Sequence, residues 1–112
     1  MKEFLYIGRY NDTCGNIILK IGTTNNLDRR QKEHTRSYRK SKTHTMPENE
    51  SFEYIFSLAL SKYNTLRFED KNRQSWIDNN IGEFVRNDRF VISADLTEVV
   101  LKIRKEYHIP LN

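Results

Sequence analysis

The feature that most constrains this chain is a pair of short apolar runs separated by turn-forming residues. Phe4–Gly8 and Ile17–Gly22 are rich in aliphatic and aromatic residues, and Asn11–Asn16 between them holds Asn, Asp, Thr and Gly. Residues of these types favour two strands joined by a longish loop. We therefore predict a β-hairpin at the start of the fold.

The second predicted strand leads almost directly into a segment with helical features. Thr24 and Asn25 offer an N-cap, and Asp28 follows Asn25 by three residues in the manner of a capping box. We predict a helix over about residues 26–38. The stretch 39–51 is polar and non-periodic and contains Pro, so we predict a long loop, which in a compact domain is either functional or disordered.

The rest of the chain predicts one more strand–helix unit and a C-terminal tail of structure. Residues 52–60 alternate in the manner of a strand. A helix is predicted over about residues 65–79, and Gly82 is predicted to end the segment that contains it. Arg89–Ile92 is a possible short strand, and Asp95 opens an amphipathic helix.

The order of elements is therefore ββαβα, followed by the short strand and the C-terminal helix. This order predicts an α+β fold, with a small, mainly antiparallel sheet flanked by helices. At 112 residues, the chain is long enough for one such domain over residues 1–112 and too short for two.

The net charge of +4 is unevenly placed. Between Asn26 and Thr45 there are seven basic and two acidic residues, a balance of +5, while the other 92 residues hold twelve basic and thirteen acidic, a balance of −1. A basic segment of this kind is typical of surfaces that bind phosphate backbones, although a solvated Lys-rich surface gives the same pattern. The candidate nucleic-acid contacts are Arg29, Lys32, Arg36, Arg39, Lys40, Lys42 and His44.

The cysteine content and the apolar segments of the sequence indicate the cellular compartment. Cys14 is the single cysteine, which excludes an internal disulfide and fits a reducing cytoplasm. The sequence holds no apolar stretch near the ~20 residues that a membrane span needs, and the predicted strand near the N-terminus leaves no room for a signal peptide. We expect a cytoplasmic protein without a membrane partner.

Tyr6-Ile7-Gly8 on the first strand and the run Lys20–His34 (KIGTTNNLDRRQKEH) resemble the core of GIY-YIG nucleases. That core has a Tyr on strand one, a second Ile-Gly motif, and a helix carrying Arg and His. A Lys in place of the second motif's Tyr resembles the phage- and virus-associated branch, which implies a phage- or virus-infected host. The resemblance covers roughly residues 3–92. We assign Tyr6 to the first motif because no strand precedes it and no Arg/His helix follows it directly.

The resemblance implies a nuclease that uses one divalent ion, Mg²⁺ or Mn²⁺, to cut DNA, with RNA not excluded. It makes Arg30 the catalytic arginine, His34 its helical neighbour and Glu69 the metal ligand, with Tyr6 or Lys20 as the base or its assistant. The residues support this separately, because Arg30 and His34 are four apart and share one helix face. A guanidinium there could hold a phosphate bidentately, and His34 or His44 could relay a proton. A homodimer is plausible if both strands are cut.

Each of these residues also has a structural explanation. Tyr6 could be a core tyrosine, Arg30 a surface arginine, and His34 a partner of Glu33 or Arg30. Glu69 could belong to a network of acids with Arg73 on the same helix face. Two further functions stay open: a non-catalytic module that binds nucleic acid or a host protein on the same fold, and an inhibitor that uses its basic face against an acidic partner.

Overall fold

The computed structural model describes residues 3–60, 62–79, 81–85, 89–92 and 95–106, and of residues 60, 62–69, 103, 104 and 106 it describes the backbone alone. The helices and strands are β1 (Glu3–Asn11), β2 (Ile17–Thr24), α1 (Leu27–Arg39), β3 (Glu53–Leu60), α2 (Lys62–Asp78), β4 (Gly82–Phe84), β5 (Arg89–Ile92) and α3 (Leu96–Glu106).

The five strands form one antiparallel sheet in the order β3-β1-β2-β5-β4. The predicted hairpin is β1 and β2, whose register places Tyr6 opposite Gly22 and Gly8 opposite Lys20. The α+β prediction, with a mainly antiparallel sheet flanked by helices, is confirmed.

The alternation of side chains along β1 divides the core between the two faces of the sheet. Leu5 and Ile7 lie in one buried cluster with Trp76 of α2 and Val99 of α3. The residues between them face the other way, where Tyr6 lies in a second buried cluster. The second cluster also contains Tyr38 and Leu27 of α1. Helix α1 therefore covers one face of the sheet, and α2 and α3 cover the opposite face.

The N-terminus of α1 is capped one residue later than the sequence suggests. The side chain of Asn26, not Asn25, accepts a hydrogen bond from the backbone N–H of Arg29 at 3.0 Å. Thr24 contributes differently, because its hydroxyl oxygen accepts from the backbone N–H of Asn26 at 3.1 Å and so fixes the turn before the cap. The prediction of a cap in this segment is right in kind and wrong by one position.

Two predictions around α2 are corrected by the structure. The helix begins at Lys62, three residues before the expected start, so β3 and α2 are almost continuous. Gly82 does not end the helical segment but begins β4, a strand that the sequence pattern missed. A Cβ at Gly82 would lie 2.0 Å from the carbonyl oxygen of Val91. The glycine is therefore needed for close approach between β4 and β5.

The loop of residues 40–52 is tied to the sheet by buried polar groups. The guanidinium of Arg89 is 4% exposed and donates to the Tyr10 hydroxyl and to the carbonyl of Thr43, each at 3.0 Å. The Tyr10 hydroxyl donates in turn to the carbonyl of His44 at 2.8 Å. These bonds hold the loop against the face that α1 covers. Within the described part of the chain, no helix is long and apolar enough to cross a membrane.

Candidate active site

The first-motif tyrosine and the histidine of α1 meet on the face of the sheet that α1 covers. The Tyr6 hydroxyl lies 2.7 Å from Nε2 of His34. The His34 ring is stacked on Tyr38, with 5.2 Å between ring centroids, and it also contacts Phe52 at 4.9 Å. Tyr6 is 2% exposed, so its hydroxyl meets His34 in the buried cluster beneath α1 rather than at the surface.

The two motif glycines make room for these rings. A Cβ at Gly22 would lie 2.5 Å from the Tyr6 hydroxyl oxygen, closer than real Cβ contacts. A Cβ at Gly8 would overlap the Phe52 ring, with 2.1 Å to its nearest atom. Because Gly22 lies opposite Tyr6 in the strand register, the absence of a side chain there lets the phenol lie flat across the hairpin. The second Ile-Gly motif thus has a steric role in the site.

Lys20 and Arg30 lie close enough to His34 to change its titration. Burial first, and then the positive charges of Lys20 and Arg30, lower the pKa of His34 from 6.5 to about 3. The imidazole is therefore neutral at neutral pH, and we assign Tyr6 as the donor and Nε2 as the acceptor of their hydrogen bond. An imidazole of such low basicity is a poor proton acceptor. His34 is thus better suited to orient the Tyr6 hydroxyl than to relay a proton.

Arg30 presents a partly satisfied guanidinium. Its side chain is 37% exposed, and Nη1 lies 3.1 Å from a carboxylate oxygen of Glu33. Its Nε is buried and has no hydrogen-bond partner among the described residues. Glu33 is shared, because it also lies 3.5 Å from Arg29. Exposed pairs of this kind contribute only about 0–1 kcal/mol, so an anionic ligand could replace Glu33 beside Arg30 at little cost.

A clamp that the sequence did not reveal fixes α1 on the sheet. The Tyr54 hydroxyl donates to the carbonyl of Leu27 at 2.6 Å, and Gln31 donates to the carbonyl of Phe52 at 2.7 Å. Thr35 accepts from the backbone N–H of Phe52 at 3.1 Å. Burial raises the pKa of Tyr54 to about 12, which keeps it a donor. The polar residues Gln31 and Thr35, four apart on α1, were the available signal.

The described side chains do not by themselves form a metal site. Among them, no group of three or more His, Cys, Asp or Glu residues is arranged to hold a metal ion. Near Tyr6 the charged groups are the cations Lys20 and Arg30, with Glu33 already paired. Glu69 lies on α2, but its side chain is outside the described residues. Helices α1 and α2 cover opposite faces of the sheet.

The predicted basic residues do not all lie in one place. Lys32, Arg36, Lys40 and Lys42 are exposed. Arg39 is exposed as well, but it donates to the carbonyls of Glu48 and Glu50 and so helps to hold the loop.

His44 is separated from the Tyr6–His34 pair. Its Nδ1 lies 2.9 Å from a carboxylate oxygen of Asp12. Asp12 directly follows the end of β1, and the six residues from Tyr6 to Asp12 span about 20 Å of extended chain. Burial opposes ionisation of Asp12, but hydrogen bonds from His44, Asn16 and the Cys14 backbone outweigh it and lower the pKa of the carboxyl. His44 therefore lies with the loop anchors rather than beside the proposed chemistry.

Comparison with known protein families gives one match, to the T5orf172 domain, over residues 3–106. The match spans nearly the whole chain. The chain belongs to the T5orf172 domain family. This family is nuclease-associated, and its domains are of the GIY-YIG-like, phage-endonuclease type. The T5orf172 domain described here is therefore a nuclease-like or DNA-binding module. Comparisons with curated proteins and with solved structures returned no match.

Proposed function

We propose that this T5orf172 domain is an endonuclease that hydrolyses phosphodiester bonds in DNA. The observation that carries the proposal is the convergence of Tyr6, Lys20, Arg30 and His34. A sequence pattern spread over 29 residues and three elements brings a phenol, a neutral imidazole and two cations to one place.

Arg30 and Lys20 are the groups that suit a phosphate. Both are partly exposed, and an oxygen that displaces Glu33 would accept from Nη1 of Arg30. A guanidinium that binds two phosphate oxygens stabilises the charge that builds up as water attacks. Bidentate donors held in place by the Tyr54 clamp on α1 need little reorganisation during the reaction.

The attacking water is proposed to give its proton to Tyr6 as the phenolate or to Lys20 as the free amine, because the neutral phenol and the ammonium cannot accept one. His34 orients the Tyr6 hydroxyl through the 2.7 Å hydrogen bond. Lys20 lies opposite Gly8 on the adjacent strand and takes the place of the tyrosine in the second motif. We propose that the chain belongs to the branch of the GIY-YIG superfamily in which Lys replaces this tyrosine.

A divalent ion, Mg²⁺ or Mn²⁺, is proposed with Glu69 as its protein ligand. Bound there, the ion would polarise the scissile phosphate and stabilise the leaving oxygen. The described donors do not fit such an ion without Glu69, so no step is assigned to it. Asp70, the neighbouring acid, is 84% exposed at its side chain and lies 3.4 Å from Arg73.

Nicking of supercoiled plasmid with Mg²⁺, with Mn²⁺ and with a chelator tests the proposal. We expect metal-dependent nicking that is lost in Arg30→Ala and in Glu69→Ala while circular dichroism shows both variants folded. Lys71→Ala, an exposed cation on α2, is the matched control and should nick at the wild-type rate. Unchanged nicking in both site variants would remove the assigned site.

The alternative is a catalytically inactive module that binds nucleic acid or a host protein. One observation favours it: a carboxylate oxygen of Glu33 lies 3.1 Å from Nη1 of Arg30 and offsets its charge. Tight DNA binding with and without metal, and no cleavage of linear, nicked or branched DNA, would establish that function instead.

If cleavage of both strands is found, sedimentation of the DNA complex would test whether two copies of the chain act together.

A further inference from the structure

The flank of α1 that faces away from Lys20 carries a second basic surface. A groove of about 510 Å³ runs between α1 and Ser51, two residues before β3. Four cations line it: Lys32, Arg36, Arg39 and Lys40. Its remaining lining is polar and contains no acid. Within the described part of the chain, no carboxylate lies within 4 Å of the Lys32, Arg36 or Lys40 side chains.

The groove and the proposed active site lie on opposite sides of α1. Sheet order puts β3 and β2 on either side of β1. The groove borders Ser51, two residues before β3, and its lining includes neither Arg30 nor Glu33, whereas Lys20 lies on β2, on the other side of β1. The helix geometry agrees for three of the four cations, because at about 100° per residue Arg39, Lys32 and Arg36 point about 180°, 160° and 120° away from Arg30, while Lys40, just after the helix, points about 80° away.

From this geometry we propose that α1 lies along the major groove of duplex DNA, with the strand to be cut beside Arg30 and the complementary strand in the groove lined by Lys32 and Arg36. The inference rests on the proposed function for its choice of cut strand. An α-helix with its side chains is about 10–12 Å across, which matches the width of about 12 Å of the B-DNA major groove.

The arrangement distinguishes duplex DNA from other phosphate polymers. One backbone can follow one flank of α1, so a single strand meets either Arg30 or the groove but not both. Duplex RNA has a deep, narrow major groove that excludes side chains, so it cannot place its two backbones on either side of the helix. The two cationic flanks are therefore used together only by B-form DNA.

Salt-dependent binding in a chelator tests this without cleavage. The variants are Arg30→Gln, the double variant Lys32→Ala/Arg36→Ala, and their combination. The matched control is Lys71→Ala/Lys102→Ala, two exposed cations on the helices of the opposite face. Each lost phosphate contact should lower the slope of log affinity against log salt by about 0.9, which is about an eightfold loss at 0.1 M salt.

For a DNA duplex of ~20 base pairs we expect the slope losses of Arg30→Gln and of the groove variant to add in the combined variant, and the control to match the wild type. For the single strand, either change alone should leave the slope nearly unchanged, and only the combination should lower it. Duplex RNA should bind with a smaller slope that the groove variant does not alter.

Two results would overturn the inference: a duplex slope that the groove variant leaves unchanged, or the same additive loss on the single strand. A parallel nicking assay separates this from the proposed function. If the wild type nicks DNA but Lys32→Ala/Arg36→Ala leaves the duplex slope unchanged, the proposed binding of the complementary strand is wrong and the proposed nuclease function stands. Additive slope losses on duplex DNA without nicking keep the groove and remove the nuclease assignment.

Discussion

Acidification should unfold the protein partly through His34, and the structure gives the size of the effect. The pKa of His34 falls from 6.5 to about 3 on folding because the ring is buried and lies near Lys20 and Arg30. The unfolded chain therefore binds a proton between these values that the folded chain does not. Stability is fully present above pH 6.5 and falls as the pH is lowered, by at most about 1.4 kcal/mol per unit.

Between pH 7.0 and 4.5 this gives an upper limit of about 2.7 kcal/mol. Because His34 is only partly buried, solvent screening should reduce the effect to about 1–2 kcal/mol. The comparison is with His34→Gln, whose amide oxygen can accept the Tyr6 hydroxyl without titrating. Urea unfolding at several pH values, followed by the fluorescence of the buried Trp76, measures both proteins.

We expect the wild type to lose about 1–2 kcal/mol more than His34→Gln over this range. Lys20→Met should reduce that difference, because it removes one of the charges that lower the pKa of His34. The contribution of the Asp12 carboxylate to stability is also lost on acidification, because folding lowers its pKa. This loss occurs below the ordinary pKa of 3.8 and is the same in both proteins. Parallel stability curves for wild type and His34→Gln would refute the electrostatic description of the site.

Three further predictions concern the site and its support. Gly22→Ala should force the Tyr6 ring away from His34, lower the free energy of unfolding by about 1–3 kcal/mol and lower nicking. The control Gly15→Ala, at φ +82 with open space around it, should lower the free energy of unfolding by about 1 kcal/mol and leave nicking unchanged. Urea unfolding and plasmid nicking measure both variants. Arg89→Met should remove the bonds to Tyr10 and the loop, cost about 1–3 kcal/mol, and speed hydrogen exchange in residues 41–46. A non-hydrolysable phosphodiester oligonucleotide should raise the pKa of His34, read from its NMR titration, because a bound anion offsets Lys20 and Arg30.

The elements near the N-terminus could be predicted because local rules agree there. Apolar alternation, a turn-forming cluster and an N-cap all point to hairpin and helix, and each is a short-range signal. β4 was missed because it has three residues, and its Gly82 has the chemistry of a helix end. The distinction between a glycine that ends a helix and one that permits strand contact depends on Val91, which is nine residues away.

The sequence could propose members of the candidate site but not their geometry. Motif order pointed to Tyr6, Lys20, Arg30 and His34, and a helix spacing of four linked the last two. The hydrogen bond between Tyr6 and His34 spans 28 residues, and no local pattern encodes it. The clamp by Tyr54 and the buried Arg89 depend on tertiary packing as well. The side of the sheet on which α2 packs likewise depends on the whole core, so the sequence order of Arg30 and Glu69 could not reveal it.

The most direct test of the account is the single-turnover nicking rate of Tyr6→Phe. This change keeps the ring, which packs against Tyr54 and Phe52 with 5.3 and 6.4 Å between centroids, and removes only the hydroxyl beside His34. If the cluster performs chemistry, the rate should fall by about 100-fold or more, while the free energy of unfolding changes by less than about 1.5 kcal/mol. A folded Tyr6→Phe protein that nicks DNA within threefold of the wild-type rate would show that Tyr6 is a core residue and that the chemistry lies elsewhere.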